Sequence, residues 1–249
     1  MPPAKKRARR YDSAKLRRAV LTQYGTVRTA VAGLTPEQLA DPTVREPLAR
    51  LHHAAGNIVT VTEAPEPAPG DDLLALERWP YAARADAAEG GDPLQDAYEA
   101  VAEAVTGTPD TRRVATEAGP MRFPDYLVTR IVALTVHTDD LDKALAPAGI
   151  TVPLDREALA TTTRLLADAL ATAAPGGSVE LRIPPYAVVQ CVEGPRHTRG
   201  TPPNVVETDP LSWLRLATGR LTWPDALHSA KLSASGDRAD LSAMLPILP

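Results

Sequence analysis

The sequence predicts an α+β protein in two parts, a helical first half followed by a smaller half in which a mixed sheet is packed with helices. Three observations lead there. The chain has 249 residues, more than the usual single domain. Hydrophobic residues make up 44% of it but aromatics only 4%, so Leu, Val and Ala must fill the core, which favours helices over an all-β fold. The apolar period then changes from three-and-four to two near Val179.

The first half is read as a bundle of about four main helices. Asp12 or Ser13 can cap the first, where Leu16, Val20, Tyr24, Val27, Val31 and Leu34 form one stripe. Thr35, Pro36 and Gln38 carry a capping box with proline at the first helical position. Thr43 and Glu46 repeat the signature before Leu48, Leu51, Ala55 and Ile58, with Pro47 tolerated early in the helix. Residues 64–72 read as a loop and 73–89 as helix broken at Trp79-Pro80. Asp92-Pro93 opens a helix with Leu94, Ala97, Tyr98, Val101 and Val105 inward, and residues 112–123 suit a small hairpin at Gly119-Pro120. Pro124 begins the best-defined helix, with Leu127, Ile131, Leu134, Leu141 and Leu145 buried.

The boundary is placed at the Ala146–Gly149 turn, giving a basic tail at 1–10, a bundle at 11–147 and an α+β domain at 148–249. Asp155 caps a helix bearing Leu159, Leu166 and Leu170, which stops at Pro175-Gly176-Gly177. Val179, Leu181 and Ile183 alternate with polar residues as a half-buried strand. Residues 186–192 are apolar enough for a central strand, 194–204 form a Pro/Gly-rich loop, and Val205-Val206 is a short strand. Thr208-Asp209-Pro210 starts a helix with Leu211, Leu214 and Ala217, 230–235 is a last strand, and 239–245 is a closing helix.

Composition excludes several classes of function. A net charge of −4 argues against a nucleic-acid partner. A single cysteine, Cys191, rules out an internal disulfide framework or a multi-cysteine metal site. No apolar run approaches the roughly 20 residues needed to span a bilayer. The tail MPPAKKRARR lacks the apolar stretch of a secretory signal, so a soluble cytoplasmic protein is expected, with the tail solvated.

The string TDPLSWLRLATGR, followed by Ala226 and LSASGDRADL, resembles the end of sterol carrier protein type 2 domains. There an Asp-capped helix with an aromatic residue and a terminal Gly precedes a strand ending in Gly-Asp, and a tail helix covers the sheet. VVQCVEGPRHTRGTPPNVVETDP is similar to the bacterial branch of that family. The resemblance spans residues 150–249 and implies a binding module for an apolar or amphipathic ligand. Residues 12–146 resemble the DinB-like helical domain of mycothiol-dependent maleylpyruvate isomerases, through RIVALTVHTDDL. In that family this helix carries Glu and, four residues later, His, and a second His comes from the helix beginning TVRE, so that one divalent ion is held. Here His137 is present, but Ala133 stands where Glu is expected and Arg50 where His is expected. His52 and His53 are read as facing other directions unless Pro47 shifts the register. The bundle is thus expected to be a metal-less descendant with His137 as its single retained ligand.

These readings converge on a carrier or binding protein for a small, lipid-like molecule, with no cofactor expected. The alternative is a mycothiol-dependent isomerase or transferase using a divalent metal such as zinc. In the second half an apolar cavity is expected, with Arg196, His197 and Arg199 at its mouth. Those groups either grip an anionic head group or pair with Glu193, Glu207 or Asp209. Trp213 either lines that cavity or packs as core. Ser178 and His197 show no acid partner at a catalytic spacing. Asp139 and Asp140 are read as capping or surface-pairing residues, although the string around His137 equally suits packing against the second half.

Overall fold

A computed structural model describes residues 9–83, 97–194 and 203–248. The architecture is α+β: an N-terminal helical region followed by a mixed sheet with helices. Helix α1 (Ser13–Val31) is capped by Asp12, whose carboxylate accepts from Lys15 N, and buries Leu16, Val20, Tyr24 and Val27. The short α2 (Pro36–Ala40) has the full Thr35/Gln38 capping box. Helix α3 (Pro42–Glu63) begins earlier than the sequence suggested. Its cap is Asp41, which accepts from Thr43 N at 2.8 Å, because Pro42 supplies the preset first helical position. Pro47 therefore lies inside the helix, where it is buried.

A 3₁₀ turn (Leu76–Arg78) runs into α4 (Trp79–Ala82). Helix α5 (Tyr98–Gly107) buries Val101 and Val105, whereas its expected start at Asp92-Pro93 and Leu94 lies outside the described residues. Strands β1 (Arg113–Val114) and β2 (Met121–Arg122) pair antiparallel as the small hairpin. Helix α6 (Phe123–Leu145) is enclosed by α1, α3 and α7 (Arg156–Ala173), so it is buried on nearly every face rather than along one stripe. The turn between α6 and α7 is pinned by polar contacts. Asp142 accepts from Val152 N at 2.7 Å, and the fully buried Gln23 accepts from Asp155 N at 2.7 Å while reaching Thr138 at 3.2 Å.

Four further strands, β3 (Val179–Ile183), β4 (Ala187–Cys191), β5 (Val205–Thr208) and β6 (Leu232–Ser235), form a sheet in the order β4-β3-β5-β6. Only β3 and β5 are parallel. β4, expected to be central, is at an edge of the described sheet, because the parallel β5 occupies the other side of β3. Its outward Val188 is 61% exposed, while Ala187, Val189 and Cys191 face the core. Helix α8 (Pro210–Ala217) starts at Asp209, which accepts from Leu211 N and Ser212 N, and α9 (Trp223–His228) follows. Sequence reading missed α9, although Thr222 and Pro224 carry the same start signal as α2. The expected closing helix is a single 3₁₀ turn (Ser242–Met244). Pro246 disfavours helical backbone at Leu245, and Ile247 N and Leu248 N both donate to Ala217 O, drawing the chain out straight.

Two apolar cores result, and α7 serves both. Ala158 and Leu165 join the bundle core, while Leu166, Ala167, Ala169 and Leu170 join the sheet core. Gly236 shows why the Gly-Asp end of β6 needs glycine. Its φ is +104°, and a Cβ there would lie 2.2 Å from Pro203 O and 2.4 Å from Asn204 Oδ1.

Candidate functional site

The sequence pointed to a site in the sheet half. Arg196, His197 and Arg199 lie outside them. Trp213 is 1% exposed in the sheet core, and its indole N–H has no hydrogen-bond partner among the described residues. Ser178 Oγ donates to Glu193 O at 2.9 Å, an anchor for the strand end.

A cavity of about 600 Å³ lies between the bundle and the second half. Helix α3 presents Arg50, His53, Asn57, Thr60 and Val61 to it. Helix α6 presents Tyr126, Arg130, Ala133, Val136 and His137. Within each helix these residues recur at steps of three and four, so both walls follow from helical geometry alone. Trp79, Ala83 and the β1–β2 turn from Ala115 to Ala118 complete the bundle side. Thr218, Arg220 and Leu248 of the second half close it. The volume falls in the range of small-molecule sites, roughly 300–1,000 Å³, and the walls mix apolar groups with a few polar ones.

His53, expected to face away, lines this cavity because it sits three residues after Arg50 on the same face of α3. His52 does turn away, with Nδ1 2.8 Å from the Tyr24 hydroxyl. Arg50 pairs with Glu46 one turn earlier. Arg130 is buried against the Tyr126 ring, 5.0 Å from its centroid. Burial, reinforced by the Arg220 and Arg50 charges, holds the His137 pKa below the usual imidazole value despite Asp140 3.5 Å away. The ring is therefore neutral at pH 7. Sequence reading missed Arg130 and Arg220 as lining residues; the spacing of Arg130 to His137 on one helix was the available signal for the first.

Among the described residues no three His, Cys, Asp or Glu side chains converge to hold a metal. The position one turn before His137 is Ala133, and guanidiniums from Arg50, Arg130 and Arg220 line the same space.

The two carboxylates after His137 are neither caps nor surface pairs. Asp139 is 2% exposed and accepts from Arg215 at 2.6 and 3.0 Å, with Lys143 at 2.7 Å. Asp140 accepts a fork from Arg220, Nε and Nη2 each at 2.7 Å. Burial opposes its ionisation, but His137 and Arg220 outweigh that and hold the carboxyl below its usual range. Residues 137–140 thus join α6 to the end of α8 and fix Arg220 at the cavity. Among the described residues no helix is long and apolar enough to cross a membrane.

Residues 155–247, which contain the four-stranded sheet, match the family described as bacterial SCP ortholog. A search of curated proteins finds no match. Among solved structures, a histidine-to-alanine variant of mycothiol-dependent maleylpyruvate isomerase is similar over 93% of this chain and 95% of that chain, at 12% identity and a TM-score of 0.49.

Proposed function

We propose that this protein is a non-enzymatic binding or carrier protein for a small amphipathic, lipid-like molecule with an anionic end, held between the bundle and the sheet half. One observation carries the reading: an apolar-walled cavity whose ionisable lining from both halves is dominated by Arg50, Arg130 and Arg220, with His53 and His137 beside them, against a single exposed carboxylate, Glu117. An alkyl chain gains about 25 cal/mol for each Å² of apolar surface it buries, before association costs. A carboxylate or phosphate end gains charge-assisted hydrogen bonds from guanidinium groups fixed in place before it arrives. The match of residues 155–247 to a carrier-type family supports a lipid-like cargo. The reading needs neither metal nor thiol.

Titration with dodecanoate tests it. Wild type should bind one equivalent, dodecanol more weakly. Ala133→Phe, which fills the cavity from α6, should weaken dodecanoate by more than tenfold, about 1.4 kcal/mol. Undiminished binding by the variant would exclude this cavity. Stoichiometric zinc in native mass spectra of protein purified without chelator would favour the thiol-dependent enzyme instead.

A further inference from the structure

Strand β6 lies at the end of the sheet order, so one of its edges pairs with β5 and the other pairs with nothing among the described residues. Beyond the buried Leu232, its residues Ser233, Ala234 and Ser235 are all exposed. Ser233 and Ser235 lie opposite Glu207 and Val205 on one face, and Ala234 lies opposite Val206 on the other. Both faces of the strand are therefore open along that edge. An open edge is a template for a further strand, and proteins commonly blunt it with proline, charge or a bulge. Leu232–Ser235 has none of these: it carries no proline and no charged residue, and its register with β5 is uninterrupted.

The charges stand just outside the strand, and they differ in sign. Lys231 precedes it and Asp237 follows shortly after it. Both are exposed, and neither makes an ion pair among the described residues. Main-chain groups point to alternate edges along a strand, so two copies that pair antiparallel must oppose residues an even number of positions apart. Placing Ala234 on the two-fold axis satisfies this. It opposes Ser233 to Ser235 of the second copy and brings Lys231 to Asp237 of the second copy. The axis repeats both contacts at the other end, so one surface supplies two attractive charge pairs. With Ser233 on the axis Lys231 would face Ser235, and with Ser235 on the axis Asp237 would face Ser233, leaving the charges unmatched. A parallel pairing in register would set Lys231 beside Lys231.

We infer that two copies of this chain join through β6, antiparallel about a two-fold axis at Ala234, to make one continuous sheet. The paired edge is four residues long, so the association is of the weak, concentration-dependent kind. The inference is independent of which molecule the cavity holds.

Sedimentation velocity on the full-length chain tests it. A monomer should give way to a dimer as the concentration rises to about 200 μM, with nothing larger, because a two-fold contact closes on itself. Lys231→Glu sets like charges together at both ends and should weaken the dimer by at least about tenfold. Asp237→Lys should do the same, and the two together should return the dissociation constant to within about threefold of wild type. Both sites are exposed, so circular dichroism should be unchanged. Ala234→Cys sets a thiol against its own copy on the axis, within disulfide reach, since paired Cα atoms lie about 4.5–5.5 Å apart. Under mild oxidation it should crosslink at least about tenfold faster than Ser233→Cys, which faces Ser235. The native Cys191 is buried and does not compete. Wild type that stays monomeric at the highest concentration overturns the dimer. A dimer indifferent to the single charge reversals, or Ser233→Cys crosslinking as fast as Ala234→Cys, overturns this edge and register.

Discussion

Replacing Asp139 by Ala should be the most damaging single change at the junction of the two halves. Its carboxylate is 2% exposed and holds Arg215 from α8 and Lys143 one turn along α6. Removing one member of a buried ion pair costs about 3–5 kcal/mol, because the remaining charge keeps its desolvation without its partner. Here Arg215 and Lys143 retain 29% and 40% of their side-chain exposure, so water recovers part of the loss. The lower end, about 3 kcal/mol, is therefore expected. For a chain of this size that corresponds to a drop in Tm of about 6–12 °C. Urea unfolding followed by circular dichroism should show a lower midpoint at unchanged slope. Asp139→Ala with Arg215→Ala should lose less than the sum of the two single changes, by at least about 1 kcal/mol. Lys143→Ala alone should cost no more than about 1 kcal/mol, as a partly exposed partner. Asp139→Ala within about 0.5 kcal/mol of wild type would refute the idea that this carboxylate ties the halves together.

His137 gives a pH dependence of defined sign. Its folded pKa is lowered by burial, so between that value and about 6.5 the unfolded chain binds a proton that the folded chain does not. Stability should fall as pH drops below about 6.5, and His137→Gln should flatten that part of the urea midpoint profile; an identical slope in the variant would assign the effect elsewhere. A second fall, below about pH 4, should follow Asp140, whose folded pKa is also lowered, and Asp140→Asn should remove it. Gly236→Ala should cost about 3 kcal/mol or more, since both its positive φ and its contact with Pro203 and Asn204 exclude a Cβ; a midpoint shift equal to that of a Gly56→Ala control, where a Cβ meets nothing within 4 Å, would contradict the close approach.

Much of the fold was legible because helix starts, helix stripes and strand alternation are encoded over short stretches. Asp12, Thr35, Asp155 and Asp209 all cap where their side chains and following residues suggested. Val179, Leu181 and Ile183 face the core by period-two alternation. Misreadings arose where a distant partner overruled a local pattern. The apolar spacing of 239–245 suits a helix, but Ala217 O holds the chain beyond it extended. The run 186–192 suits a central strand, but β5 docks on the far side of β3.

The candidate site divides along the same line. The sequence by itself determined that the place one turn before His137 carries Ala133, and its spacing of three already put Arg50 and His53 on one face of α3, a signal that the reading of His53 as facing away overlooked. Only the tertiary structure decided that α3 and α6 turn these faces toward one cavity and that Arg220 closes it from the second half. It also decided that Asp139 and Asp140 meet arginines 76 and 80 residues away. Those encounters depend on how α7 packs both cores at once, and side chains so far apart in the chain meet only when the packing of whole elements brings them together.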